Sequence, residues 1–139
     1  MGKYFTIHEL TQSNTAESRK IDNSPPPDVK VRLNTLINNV LDPIREKWGS
    51  PIRVNSGFRS PVLNKAVGGS AVSQHVRGEA ADITAGSPQE NERLFHMIAA
   101  MRVAGEVQFD QLIDEQGYSW LHISYTSSAR GNRNQVLHL

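Results

Sequence analysis

Apolar residues between positions 28 and 48 recur every three or four residues, which is the spacing of one face of an α-helix. The positions that define this face are Val29, Leu33, Leu36, Ile37, Val40, Leu41, Ile44 and Trp48. Pro43 lies inside the run, and we expect it to kink or split the helix near its end because proline lacks an N–H. Gly49 is the expected stop.

A second helix is predicted after the segment Ser87-Pro88-Gln89-Glu90. This segment combines an S-x-x-E capping box with proline at the first helical position. Shorter helical turns are expected in the polar arm TIHELTQSNTAESR and between Pro61 and Val67. The second helix carries its apolar residues on one face, at Leu94, Met97, Ile98 and Met101.

Strand-like segments flank and follow these helices. FDQLIDE (109–115) and SWLHISY (119–125) predict an antiparallel hairpin joined by a Gln-Gly turn. Two shorter strands are predicted, at Ile52–Asn55 and in EAADITA (79–85). The mixed order of helices and strands is typical of an α+β fold.

The composition of the last segment, TSSARGNRNQVLHL (126–139), predicts a polar extension. We expect Arg130 and Arg133 to be solvated there and His138 to belong to a mobile tail. We therefore predict an α+β fold in which helices pack on a small antiparallel sheet. The length favours a single domain that spans residues 1–139.

Composition narrows the function classes. The net charge is +1, so no clustered basic face is predicted and we expect no nucleic-acid partner. No segment is long and apolar enough for a membrane span, and we expect no membrane partner. The start MGKYFTIHEL lacks the apolar region of a secretory signal, so we expect synthesis in the cytoplasm. We also expect a monomer.

The histidines and one aspartate suggest a metal site. The chain has no cysteine, so a zinc site would use His, Asp or Glu ligands. His75 and Asp82 are separated by a segment rich in small residues, which lets the backbone turn closely around an ion. His122 alternates with two apolar neighbours in a predicted strand and points away from them. The alternative is a metal-free domain in which His75 and Asp82 simply pair.

Four segments, SGFRSPVLNKAVGG, SQHVRGEAADI, FDQLIDE and SWLHISY, resemble the M15 family of zinc peptidases. The resemblance is to the D-Ala-D-Ala carboxypeptidase-like branch of bacterial cell-wall enzymes and phage endolysins. The family pattern, S-x-H-(x)6-D followed by W-x-H, is met by Ser73, His75, Asp82, Trp120 and His122. The resemblance implies an M15/hedgehog-like fold and a Zn²⁺ ion held by His75, Asp82 and His122.

The resemblance also implies substrate-binding residues. Arg59 matches a family arginine that binds substrate near the metal, where its planar fork of donors suits a carboxylate or a polarised carbonyl. Ser73, Gln74 and Trp120 are predicted to contact substrate, and Trp120 to pack beside His122. The alternatives are that Arg59 is a surface arginine paired with an acid, that Ser73 only forms a loop, and that Trp120 is a core tryptophan.

The general base is where the chain departs from better-known members of the family. Those members carry an acid or a histidine two or three positions before the last ligand, where this chain has Trp120 and Ser119. Glu115 and Asp114 are the nearest acids. The branch carries FDQLI-x-E, which favours Glu115 as the catalytic base and leaves Asp114 as a solvated turn residue. The alternative is that Glu115 is only an exposed hairpin acid.

The function implied by the resemblance is zinc-dependent hydrolysis of peptidoglycan stem peptides. The bond would be D-Ala-D-Ala, as for a carboxypeptidase, or L-Ala-D-Glu, as for an endopeptidase. We expect the protein to act on the cell wall after phage- or lysis-mediated release. The alternative is a non-catalytic zinc-containing module that binds cell wall or serves as a phage structural part.

Overall fold

The structure is a computed structural model of the chain, and it describes residues 2–70 and 72–139. Among these residues no helix is both long enough and apolar enough to cross a membrane. The elements in chain order are α1 (Ile7–Thr11), α2 (Asn14–Ser18), α3 (Pro27–Leu36), a π-helical segment (Ile37–Leu41), α4 (Asp42–Trp48), β1 (Arg53–Ser56), α5 (Pro61–Ala66), α6 (Gln74–Arg77), β2 (Ala80–Thr84), α7 (Pro88–Val103), β3 (Gln111–Glu115), β4 (Trp120–Ser124) and β5 (Gln135–His138).

The predicted first helix is present and is split, as expected, ahead of Pro43. Its α3 and α4 parts are joined by the π-helical segment, in which the Asp42 N–H donates to the Ile37 carbonyl. This wider turn lies where the proline ring and its missing N–H would disturb a regular helix. Gly49, in a left-handed conformation with φ of 76°, ends the helix.

The five strands form one sheet in the order β1-β2-β4-β3-β5. The pairs β1–β2, β2–β4 and β3–β4 are antiparallel, and the predicted hairpin is confirmed. β5 pairs with β3 in parallel, so the α+β class is confirmed but the sheet is mixed and not wholly antiparallel. The prediction of a polar extension was wrong because residues 135–138 form this edge strand.

The tail is held beside β3 by contacts that a sequence pattern does not record. The Asn134 N–H donates to the Phe109 carbonyl, and the Asn134 side chain accepts from the Phe109 N–H. Asn134 adopts a positive φ of 51°, which turns the chain into β5. The strand itself has too few apolar residues to be recognised as a strand from their alternation.

The two faces of the sheet differ in polarity. The residues that point towards the helices are buried in the hydrophobic core, and they are Ala81, Ile83, Leu112, Leu121 and Ile123. The alternate positions on β2, β3 and β4 point to the opposite face, because side chains alternate along a strand. That opposite face carries Asp82, Glu115, Trp120 and His122 in register.

Asn91 fixes α7 against the strands that carry this polar face. Its side chain is fully buried and accepts from the Ala85 N–H at 2.6 Å. Its amide donates to the Thr84 hydroxyl at 3.1 Å and to the Tyr118 carbonyl at 2.9 Å. One side chain therefore ties the end of β2 and the turn of the β3–β4 hairpin to the same helix.

Asn91→Ala should lower the free energy of unfolding by about 1–3 kcal/mol, because it leaves buried backbone groups without partners. Urea unfolding followed by circular dichroism measures this change. Glu92→Ala, at the exposed neighbouring position on α7, is the control and should change stability by less than about 0.5 kcal/mol. Equal midpoints for the two variants would contradict the proposed tie.

Candidate metal centre

His75 lies in a single helical turn, α6. The Ser73 hydroxyl caps this turn by accepting from the His75 N–H at 3.2 Å. Gly78 ends it with φ of 77°, and a Cβ at this position would lie 2.9 Å from a Val29 methyl group. Glycine therefore allows both the turn and its close packing on α3.

The imidazole of His75 is oriented by a main-chain group. The residue is 3% exposed, and its Nδ1 lies 2.7 Å from the carbonyl oxygen of Gly57. A carbonyl can only accept, so Nδ1 carries a proton, and Nε2 is the ring nitrogen that faces Asp82 and is available to a metal. This arrangement is the usual way in which a metal-binding histidine is fixed by an outer partner.

The β2–β4 register brings the other two predicted ligands together. Asp82 and His122 are directly paired across the strands, and Nδ1 of His122 lies 3.1 Å from Oδ1 of Asp82. Nε2 of His75 lies 3.3 Å from the same oxygen, and the rings of the two histidines are 5.2 Å apart. One ligand atom from each of the three residues lies within 4.8 Å of the others.

These spacings fit a divalent metal. Ligands at about 2.0–2.2 Å in a tetrahedral arrangement lie roughly 3.3 Å from one another. The two distances to Asp82 Oδ1, 3.3 Å and 3.1 Å, are close to this value. The donor set of two imidazoles and one carboxylate is also one that zinc accepts, with a fourth position left for water or substrate.

The Asp82 carboxyl is held in its charged form. Burial alone would raise its pKa, but hydrogen bonds from His122 and His75 outweigh burial and hold the pKa well below its usual range. The anionic form is the one that a metal ligand requires.

Arg59 adjoins this carboxylate from the other side. Its Nη2 lies 3.6 Å from Oδ2 of Asp82. Its Nε donates to the Ser56 hydroxyl at 3.1 Å, and its Nη1 donates to the Asn64 side chain at 3.0 Å. Arg59 is thus a largely buried partner of a candidate ligand and not a surface arginine.

A cavity of about 500 Å³ opens beside His122. Glu115, Ser73 and Gln74 also line it. Arg59 lines a separate cavity, with Phe58 among its neighbours. Of the predicted site residues, the structure therefore brings Glu115, Ser73 and Gln74 to the cavity at His122.

Comparison with known proteins gives a family match over residues 3–124, to the family described as Peptidase M15. The chain belongs to the Peptidase M15 family. A curated relative in Streptomyces albus G, named zinc D-Ala-D-Ala carboxypeptidase, is 40% identical over 86 residues. That match covers 60% of this chain and 32% of the relative, so the chain matches about a third of the relative's length.

Strand alternation separates the two acids considered for the general base of this M15 chain. Glu115 is paired with Trp120 on the face that carries His122, and it lines the same cavity. Asp114 points to the opposite face, is 6% exposed and contacts Nδ1 of His138. The prediction of a solvated Asp114 was wrong because β5 covers it.

Of the three other residues predicted to bind substrate, Ser73 and Gln74 make hydrogen bonds within the protein. Ser73 caps α6. The Gln74 amide donates to a carboxylate oxygen of Asp110 at 3.0 Å. Trp120 lies two positions from His122 on the same face, and its indole Nε1 is buried without a hydrogen-bond partner among the residues that the structure describes. Their contact with substrate stays a prediction.

Sequence reasoning missed the carbonyl of Gly57, which orients His75. A main-chain acceptor leaves no signature in residue types. The only local signal was the glycine itself, where a Cβ would lie 2.3 Å from the Leu10 carbonyl oxygen. Such a close approach of two backbones excludes a side chain.

His122→Ala should weaken the binding of Zn²⁺ by more than about 100-fold, because changes to outer partners alone typically cost 10–100-fold. Isothermal titration of the metal-free protein with Zn²⁺ measures this affinity. His96→Ala removes an exposed histidine from α7 and should bind zinc as the unmodified protein does. A His122→Ala protein that retains the original affinity would exclude this site.

Proposed function

We propose that this chain is a zinc-dependent peptidase that hydrolyses peptide bonds in peptidoglycan stem peptides. The convergence of His75, Asp82 and His122 to within 4.8 Å beside a cavity carries the proposal. Membership of the Peptidase M15 family supports it, as does a relative that is named for zinc and for D-Ala-D-Ala.

The three side chains would hold zinc through Nε2 of His75, the carboxylate of Asp82 and Nδ1 of His122. Bound zinc supplies Lewis acidity at a substrate carbonyl and lowers the pKa of bound water towards about 7. The protein's own part is to hold a proton on Nδ1 of His75, which donates it in a hydrogen bond to the Gly57 carbonyl, and to keep Asp82 ionised.

Glu115 is the proposed general base. It accepts the proton of the attacking water and gives it to the leaving amine, which is the usual role of a positioned carboxylate in hydrolysis. Its place on the His122 face and in the same cavity supports this role. Arg59 remains a predicted donor to the oxygen that becomes negative during attack, and its observed contact with Asp82 also steadies a ligand.

Two bonds are candidates for cleavage. The relative in Streptomyces albus G supports the D-Ala-D-Ala bond by its name. The endolysin-like motifs support an L-Ala-D-Glu bond within a cell wall. Purified peptidoglycan and defined stem peptides, analysed by mass spectrometry for new termini, distinguish an exopeptidase from an endopeptidase.

The second candidate function is a non-catalytic module that keeps the zinc site and binds cell wall. The observation in its favour is that Ser119 and Trp120 stand where better-known members carry an acid or a histidine. This function predicts stoichiometric zinc without hydrolysis of any stem peptide.

Hydrolysis of stem peptides should disappear when a chelator removes the metal, and it should return when Zn²⁺ is restored. The reason is that the three ligands carry no nucleophile or electrophile of comparable strength without the ion. Release of the cleaved peptide measures the reaction. Zinc bound at one equivalent with no cleavage of either candidate bond would favour the binding module.

Glu115→Gln should retain zinc and lose turnover by about 100-fold to 10,000-fold, because the amide cannot accept a proton. Turnover and zinc content are measured on the same preparation. Glu92→Gln, an exposed substitution of the same type on α7, is the matched control. Nearly full activity in Glu115→Gln would show that another group is the base, and Asp114→Asn would then be compared.

A further inference from the structure

Asp110, immediately before β3, is a fully buried carboxylate that binds two arginines. Arg130 donates to its two oxygens at 2.8 Å and 3.0 Å. Arg133 donates to them at 3.0 Å and 2.9 Å, and its backbone N–H adds a bond at 3.1 Å. The prediction that both arginines are solvated was therefore wrong.

The charges at this cluster do not cancel. Burial would raise the pKa of Asp110, but hydrogen bonds from Arg130 and Arg133 outweigh it and hold the pKa far below its usual range. One negative charge therefore faces two guanidinium groups, which stay protonated at all ordinary pH values. The cluster carries one excess positive charge.

The neighbouring ion pair does not remove this excess. Glu79 is buried, lies 3.2 Å from Nε of Arg77 and accepts from the Thr126 hydroxyl at 3.0 Å. Arg77 and Glu79 thus balance one another on the same wall of the cavity. The uncompensated charge remains with Arg130 and Arg133, which also line that cavity.

Among the residues that the structure describes, both arginines have N–H groups that bond to no acceptor. A guanidinium has five N–H groups. Arg133 uses Nε and Nη2 on Asp110, which leaves Nη1 at the end of its fork. Arg130 uses Nη1 and Nη2 on Asp110 and also donates from Nη1 to the Gly131 carbonyl, so its Nε–H and one N–H of Nη2 are not used. The two side chains are 46% and 43% exposed, so a ligand can reach them.

The cluster lies at a defined distance from the metal centre. Ile113 is paired with His122, and Asp110 precedes Ile113 by three residues. At about 3.3 Å per residue, Asp110 lies roughly 10 Å along the strand from the position of His122. Glu115 lies in the opposite direction along β3. The cavity therefore has a cationic end and an acidic end, with His122 between them.

We propose that Arg130 and Arg133, held in place by Asp110, form a subsite that binds a carboxylate of the peptide substrate. The planar forks suit a carboxylate, and the distance from His122 corresponds to about one to three residues of an extended peptide. This inference rests on the proposed peptidase function. The carboxylate is either the C-terminal group of the peptide or the α-carboxyl of a D-Glu residue.

A purely structural role is the competing interpretation. The cluster joins the segment before β5 to β3, and Asp110 also accepts from Gln74, which precedes His75. If the cluster is only a structural clamp, disrupting it should lower stability and zinc retention and should reduce activity on every substrate alike. If the cluster is a subsite, disrupting it should reduce activity only on substrates that carry the carboxylate.

The test compares acid and amide forms of two peptides with the zinc-loaded protein. One pair ends in D-Ala-D-Ala as the free acid or the C-terminal amide. The other contains L-Ala-D-Glu or L-Ala-D-isoglutamine, whose α-carboxyl is an amide. In one pair the acid form should have a kcat/KM about 10–100-fold higher, the effect expected for a charged hydrogen bond. The pair that responds identifies the source of the carboxylate.

Arg133→Gln should reduce the acid-to-amide ratio to near one, with most of the loss in the acid form. Arg102→Gln, which removes an exposed positive charge at the end of α7, should leave the ratio unchanged. Circular dichroism and zinc content establish that the variant is folded. If Arg133→Gln fails to fold, Arg130→Gln is compared, and the preference of the unmodified protein still tests the subsite.

Binding of the product peptides separates this inference from the proposed function. Titration of the zinc-loaded protein with acid and amide products needs no hydrolysis. Acid-selective binding that Arg133→Gln abolishes supports the subsite even if neither peptide is cleaved. The subsite is excluded if the unmodified protein treats acid and amide alike in both pairs, or if Arg133→Gln keeps the original ratio.

Discussion

The antiparallel pairing of β2 with β4 is the constraint on which the site depends. It sets Asp82 opposite His122 and turns both away from the hydrophobic core. A slip of β4 by one residue would move Leu121 and Ile123 to the polar face and turn His122 towards the core, away from Asp82. The burial of those neighbours therefore fixes the register, and the register fixes the metal centre.

Around this pair the structure supplies groups that hold each ligand in one state. The Gly57 carbonyl selects the tautomer of His75, and Arg59 contacts the second oxygen of Asp82. Asp110 draws Gln74 towards β3 and so supports the short helix that carries His75. These contacts leave little freedom in the ligand set, which is what an ordered metal site requires.

The sheet divides structural and chemical roles between its faces. Helices cover one face and make the core, while the other face carries the ligands, Glu115 and the cavity. The segment after β4 adds to both roles, since β5 buries Asp114 and the preceding turn places Arg130 and Arg133 on the cavity wall. These arginines follow the residues matched to the family, so the chain beyond 3–124 supplies this part of the cavity wall.

The local sequence pattern was enough to predict much of the secondary structure and the three candidate ligands. Helical spacing predicted the long first helix and its break before Pro43, the capping box predicted α7, and alternation placed His122 on the face opposite Leu121. Motif spacing also named the three residues that converge. The sequence could not predict the parallel β5, the Gly57 acceptor or the arginines on Asp110. Periodicity indicates on which side of a helix or strand a residue lies. These contacts instead join main-chain groups and charges that are distant in sequence, and only the folded chain brings them together.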